Sequence, residues 1–235
     1  MTDYVGSDVL ENLTAAKHYN NALAKKVAAH IRGPEVLDFG AGSGTFARLM
    51  RGSKWTVSCL EADPKYVQEL ADNGFDARQS LDDFGETTFS DVYSLNVLEH
   101  IEDDVAALRG IKEKMAQDGR LVLFVPAHPV LYSSFDKRIG HFRRYTKPEL
   151  ESKAHKAGFV VSSWEYFDSL GYFVALLYRL LDRGDGRLPG GTVRFFDSVI
   201  FPVSVVLDKV LKKIMGKNLF LVAHPERNPF QTNPG

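Results

Sequence analysis

The sequence predicts an α/β fold: a mostly parallel sheet with helices on both faces. Three observations carry this. Strand-like apolar runs at 35–39, 55–61, 75–79, 90–96 and 119–126 alternate with helical patterns near 44–51, 64–72 and 102–117. Such alternation requires crossover connections, and these make neighbouring strands parallel. The first strand, Val36-Leu37-Asp38-Phe39, enters a glycine-rich turn, Gly40-Ala41-Gly42-Ser43-Gly44, and leaves it through the helix-forming Ala47, Arg48, Leu49 and Met50. Finally, 235 residues with 44% hydrophobic and 25% charged content suit a single domain, 1–235, with one modest addition.

Before the first strand, residues 8–30 read as a helix. Ser7 or Asp8 can cap it, and Val9, Leu13, Ala16, Tyr19, Leu23 and Val27 recur at helical spacing. After the alternating segments, Thr146-Lys147-Pro148-Glu149 offers a cap, a proline at the second helical position and an acid three residues on. Gly158 ends that helix, a strand follows near 159–166, and the last strand is 218–223. Between them, residues 168–217 exceed any ordinary connection. They hold two apolar stretches, Leu170–Leu181 and Val193–Ile214, around a polar hinge at 182–191. The first is too short to span a bilayer, and Asp197, Pro202 and Asp208 interrupt the second. A helical insertion is expected, serving as a lid over the pocket, a homodimer interface or a peripheral membrane contact. The tail 224–235, rich in proline and polar residues, is expected to be poorly ordered.

The glycine turn carries the chemistry. Glycines let the backbone approach a ligand where a Cβ would collide, and the N–H groups of the following helix face that ligand. The second strand ends in Glu61, where a carboxylate can accept from both hydroxyls of a ribose. A dinucleotide fingerprint, G-x-G-x-x-G, would place its third glycine at position 45, which is Thr45. Asp38 stands two residues before the first glycine. It would repel a pyrophosphate but attract an ammonium group. A ligand with a ribose, no phosphate and a positive amine is indicated, and S-adenosylmethionine meets all three conditions.

Here the chain resembles the class I S-adenosylmethionine-dependent methyltransferases, whose first motif reads much like VLDFGAGSG and whose second strand ends in an acid like Glu61. The resemblance implies a Rossmann-like sheet in the order 3-2-1-4-5-7-6 with the seventh strand antiparallel, and the 168–217 insertion between strands 6 and 7. It places the donor against Asp38, Gly40, Ala41, Gly42, Gly44, Glu61 and Ala62. Leu81 and Asp82 would hold the adenine, although Asp83 beside them leaves the register open by one and either acid can cap a turn. The segment Asn96-Val97-Leu98-Glu99-His100 resembles the family's fourth-strand motif and puts Asn96 at the methionine part of the donor. His100 reads either as a base or as a histidine bonding the next loop.

The loop after the fifth strand holds His128, Tyr132 and the pattern D-x-x-x-G-H-x-R-R-Y from Asp136 to Tyr145. With Lys17-His18-Tyr19-Asn20 it resembles a bacterial methyltransferase subgroup associated with glycosyltransferases and with polysaccharide or lipid pathways. His141, as general base, and Tyr145 are the catalytic candidates, and Tyr19, His128, Arg143 and Arg144 the acceptor-binding ones. The plainer reading is a salt-bridged loop built on Asp136 and the arginines, with His141 on backbone and Tyr19 in ordinary packing. No metal site is expected.

The net charge of -1 and a fourth-strand loop reading Asn-Val-Leu-Glu argue against nucleic acid. A single cysteine, Cys59, cannot form an internal disulfide, and the N-terminus lacks a basic region followed by an apolar core. A cytoplasmic protein is expected, with 168–217 as the segment that would associate with the inner membrane face. The expected partner is a small-molecule methyl acceptor, saccharide-, lipid- or quinone-like. Two other classes are weighed: a nicotinamide-dependent oxidoreductase or epimerase, against which Thr45 and Asp38 count, and a catalytically silent methyltransferase-like module.

Overall fold

The computed structural model describes residues 15–226, apart from 53, 183, 185 and 187–190. Residues 8–14 of the expected first helix with its candidate caps Ser7 and Asp8, most of the polar hinge and the tail from 227 lie outside the described residues. The strands are β1 Glu35–Phe39, β2 Thr56–Leu60, β3 Asp76–Arg78, β4 Phe89–Leu95, β5 Met115–Pro126, β6 Phe159–Phe167 and β7 Asn218–Pro225. They form one sheet in the order β3-β2-β1-β4-β5-β7-β6, as the family resemblance implies. Strands β1 to β5 pair in parallel, and β7 runs antiparallel to both β5 and β6.

The central strands are apolar on both faces, which requires cover on both. On one side Val36, Cys59, Tyr93, Val122 and Phe124 pack under α1 Lys17–Ala28, α2 Thr45–Met50 and α3 Pro64–Asp72. On the other, Leu37, Val92, Leu121 and Leu123 pack under α4 Asp104–Glu113 and a later helix, Lys147–Lys156. Helix starts are capped: Asp63 accepts from Lys65 N at 2.8 Å, Asp103 from Ala106 N at 2.9 Å and Thr146 from Glu149 N at 3.3 Å. Helix α4 is shorter than the expected 102–117. Met115 pairs with Phe89, so residues 115–118 extend β5 across a register shift. Buried Asp91 fixes that edge by accepting from Arg32 N, Gly33 N and Arg120 N at 2.7–2.8 Å.

Helix α5 Ser134–Arg138 lies in the loop after β5, and α6 is Lys147–Lys156. The insertion between β6 and β7 consists of α7 Ser169–Leu181, α8 Thr192–Phe195, a π-helical turn Phe196–Ile200 and α9 Phe201–Leu211. The acids that interrupt its apolar pattern tether it. Asp197 accepts from His18 N at 3.0 Å and Tyr19 N at 2.8 Å, serving as a cap for α1 that Ala16 cannot supply. Asp208 accepts from Asp168 N and Ser169 N at 2.8 Å, and the Ser204 hydroxyl donates to Asp168 at 2.9 Å. Phe201, 1% exposed, packs with Phe167 and Tyr19. The outer side of the insertion is apolar, with Leu180 73% and Val210 76% exposed. Among the described residues no helix is long and apolar enough to cross a membrane.

Candidate active site

The end of β1 is tied to the end of β2: Gly40 N and Ala41 N both donate to Leu60 O, at 2.8 and 3.0 Å. Gly40 has φ +83, and a Cβ there would fall 2.4 Å from Val97 Cγ2. Glycine is thus required, and the turn lies directly against the segment leaving β4. Gly44, φ +81, opens α2 with its Cα side facing Leu70. Glu61 bridges this turn, accepting from Gly42 N at 2.7 Å through Oε2 and from Asp63 N at 3.0 Å through Oε1. Ala62 beside it is exposed, its carbonyl accepting from Gln79 at 3.3 Å.

Asp38 is 2% exposed, and its Oδ2 has no hydrogen-bond partner among the described residues. Burial pushes its carboxyl up to about 7, helped by Glu61, and the Tyr93 hydroxyl partly opposes this. A buried carboxyl without a partner at a strand end is a natural place for a ligand cation. Downstream, Asp83 rather than Asp82 closes the turn after β3, accepting from Ser80 N at 2.9 Å. Asp82 is left exposed beside Leu81, and both line a cleft of about 330 Å³ with Phe39, Leu60 and Ser80.

Asn96 ends β4 with φ 56, a left-handed conformation that asparagine tolerates. Its Oδ1 accepts from Asn218 Nδ2 at 3.4 Å, and Asn218 Oδ1 accepts from the Tyr19 hydroxyl at 3.2 Å. Tyr19 is thereby joined to the crevice, while its ring packs edge-on against Phe167 and Phe124.

The loop after β5 sorts its polar residues into two clusters. Asp136, fully buried, accepts from Ser133 N and Oγ at 2.9 and 3.1 Å, His141 Nδ1 at 2.8 Å and Arg144 Nε at 2.9 Å. Burial would raise its carboxyl, but His141 and Arg144 outweigh that and hold it below the usual range. Asp104 collects the second cluster: Arg143 Nη1 at 2.7 Å, the Tyr145 hydroxyl at 2.8 Å and Lys153 Nζ at 2.9 Å. Tyr145 is buried there, and burial together with Asp104 pushes its hydroxyl well up. His141 and Arg144 therefore meet on one acid, and Arg143 and Tyr145 on another. His128 stands apart from both, its ring stacked 4.8 Å from Tyr166 and edge-on to Tyr172 of α7.

His141 Nε2 points toward Glu99 Oε1 at 3.7 Å, and its ring meets His100 edge-on at 4.6 Å. Glu99 is fully buried, and neither carboxylate oxygen has a hydrogen-bond partner among the described residues. Burial pushes Glu99 up to about 8, and burial with His141 pulls His100 down to about 4. Sequence reasoning left Glu99 and His100 without a settled part. The signal was the acid–histidine pair at a strand end, and its completion by His141 depends on tertiary proximity. The insertion borders this region. Asp182, at the end of α7, accepts from Ser134 N at 2.7 Å and Ser134 Oγ at 2.5 Å.

A family model described as a methyltransferase domain matches residues 13–163, from the first helix through most of β6. The chain belongs to the methyltransferase-domain family. The insertion lies outside the matched residues. A comparison with curated protein sequences finds no match. Among solved structures, this methyltransferase-domain chain is similar to a chain from the complex of the Haloferax volcanii Trm112 methyltransferase activator, at 19% identity and TM-score 0.61, covering 91% of this chain and 92% of that one. A SAM-dependent methyltransferase from Archaeoglobus fulgidus gives 16% identity and TM-score 0.60, covering 89% and 94%. The [4+2]-cyclase SpnF gives 16% identity and TM-score 0.56, covering 88% and 85%. The fold is thus common to methyl transfer and to other chemistry.

Proposed function

We propose that this protein is an S-adenosylmethionine-dependent methyltransferase acting on a small-molecule acceptor. The observation that carries this reading is Asp38, buried and unpaired through Oδ2 at the end of β1, beside a glycine turn pressed onto the β4 exit. A sulfonium donor supplies an electrophilic methyl group and brings an ammonium group that Asp38 can neutralise. Glu61 would exchange its bond to Gly42 N for the ribose hydroxyls, Gly40, Ala41, Gly42 and Gly44 would let the donor lie close, and Ala62, Leu81 and Asp82 would border the adenine. Asn96 would meet the methionine part.

Methyl transfer from a sulfonium is an in-line displacement, so the protein's task is alignment and exclusion of water. His141, its Nδ1 fixed on Asp136, is the residue we place against the acceptor. Arg144 holds Asp136, while Arg143 and Tyr145 brace the loop through Asp104. Tyr19 through Asn218 and His128 between Tyr166 and Tyr172 are the acceptor contacts on the insertion side. Among the described residues, thirteen of the sixteen exposed large hydrophobic residues belong to the insertion. This supports an acceptor with an apolar portion, such as a lipid-linked saccharide or a quinone-like ring, and work at the cytoplasmic membrane face. A nicotinamide-dependent activity is disfavoured by Thr45 and by the Asp38 carboxyl, both unsuited to a pyrophosphate. Incubation of the protein and methyl-labelled S-adenosylmethionine with a cell lipid extract should move label into an organic-soluble product, and His141→Ala should abolish transfer. Full turnover by His141→Ala would remove that residue from the chemistry, and label confined to the aqueous phase would remove the lipid-like acceptor.

A further inference from the structure

We propose that Glu99, His100 and His141 form a site for one divalent transition-metal ion. Each offers a ligand atom, and the three atoms lie within 4.8 Å of one another. Two histidines and one carboxylate are a ligand set suited to zinc, manganese and similar ions, and three protein ligands leave a coordination position open. His141 Nε2 and Glu99 Oε1 are 3.7 Å apart. Two ligands of a tetrahedral ion with bonds of about 2.1 Å stand about 3.4 Å apart, so small side-chain rotations close the site.

Two independent features point inward to the same spot. Glu99 is 0% exposed, and both its oxygens lack hydrogen-bond partners among the described residues. The His141 ring stands 3.7 Å from it, and Arg144, whose charge is felt at Glu99, makes its ion pair with Asp136. A carboxylate so placed is costly unless a proton or a cation compensates it. The second feature is the outer contact of His141. Its Nδ1 lies 2.8 Å from the Asp136 carboxylate, an acceptor that favours the Nδ1–H tautomer, and in that tautomer Nε2 presents a lone pair to the cluster. A carboxylate holding the far nitrogen of a metal-bound histidine is the usual support for such a ligand. Asp136 is itself fixed by Ser133 and Arg144, so the ring has one orientation. The segment carrying His141 is also bound to the segment carrying Glu99, Phe142 N donating to Glu99 O at 2.8 Å.

The site follows Asn96 by three residues at the carboxyl end of β4, where ligands of open α/β sheets bind. An acceptor hydroxyl could take the open position, where the ion would lower its pKa so that its proton passes to solvent. The oxygen would then form its bond to the methyl carbon as the S–CH3 bond of the sulfonium breaks, leaving a neutral thioether. This role rests on the methyl-donor reading above, whereas ion binding does not. A metal-bound Nε2 is not a proton acceptor, so His141 would activate the acceptor through the ion.

The test is calorimetric titration of the full, EDTA-dialysed chain with ZnCl2 and with MnCl2, followed by metal analysis after dialysis. One ion per chain is expected. Glu99→Gln and His100→Gln should weaken binding at least tenfold, Asp136→Asn by about 10–100-fold, and the exposed His155→Gln should leave it unchanged. Glu99→Gln keeps the side-chain shape and removes an unpaired buried carboxylate, so it is expected to fold, as circular dichroism will register. No stoichiometric ion in the wild-type protein, or equal affinity in Glu99→Gln and His100→Gln, overturns the proposal. S-adenosylhomocysteine titrated into the same samples separates the two readings: its failure to bind while the ion binds would remove the donor and leave the metal site standing.

Discussion

A carboxyl buried at the end of a central strand without a matched partner is unfavourable as an anion, and burial accordingly pushes Asp38 up to about 7. The unfolded chain ionises this group near 3.9, so the folded state holds a proton that the unfolded state has lost across the interval up to 7. The stability contributed by protonated Asp38 is therefore present below the unfolded pKa and is lost as pH rises through about 7. A donor ammonium reverses the preference by favouring the ionised form. Donor affinity should rise with pH by up to about tenfold per unit and level off above 7, with release of one proton on binding. Titrating S-adenosylhomocysteine in buffers of different ionisation enthalpy measures that proton, and Asp38→Asn should remove both effects. A pH-independent affinity in the wild-type protein would separate Asp38 from the ammonium group. Asp38, Glu61 and the glycines were legible because strand, turn and acid are contiguous in sequence. Glu99, His100 and His141 were not legible as a group, since two chain segments meet there only after β4 and β5 pair and the loop after β5 folds back. The plainer reading of D-x-x-x-G-H-x-R-R-Y as a salt-bridged loop holds for Asp136 with Arg144, but His141 meets the Asp136 side chain instead of backbone. Arg143 goes with Tyr145 to Asp104 of another helix, which the pattern did not reveal.

Elements were read from the sequence where hydrophobic period and cap residues agree, as at α3, α6 and the strands. The helix over 102–117 ran too long because β-pairing of Met115 with Phe89 overrode local helix propensity. Asp197 and Asp208 looked like breaks in an apolar helix; they are caps for distant helices, a function invisible without the partner. Asp197→Ala should cost about 0.5–2 kcal/mol in thermal or denaturant unfolding. It should also raise amide exchange at His18 and Tyr19, which lose their acceptor. Unchanged exchange at these two amides would mean that the insertion does not hold α1. The outer face of α7 and α9 carries the remaining prediction at this scale. The protein should sediment with phospholipid vesicles, and Leu180→Asp with Val210→Asp should abolish sedimentation, both positions being exposed. Sedimentation equilibrium on the same samples distinguishes the alternative, since loss of a dimer in the double variant with no vesicle binding would assign this face to a second copy.

For the whole molecule, β1 to β5 pair in parallel and β7 enters antiparallel between β5 and β6. That topology brings the ends of β1, β2 and β4 to one crevice, with the β5 loop and the insertion on its far side. The proposed donor side is built from local backbone devices, and the proposed acceptor side from long-range side-chain clusters. This division explains why the sequence points to one donor, whereas for the acceptor it leaves several classes open. Fold alone does not decide the reaction, as similarity to a cyclase illustrates. Calorimetry of the full chain with S-adenosylhomocysteine and, separately, NAD tests the central claim most directly. One S-adenosylhomocysteine should bind per chain, lost in Glu61→Ala, with no heat from NAD. Binding of NAD with no response to S-adenosylhomocysteine would contradict the assignment.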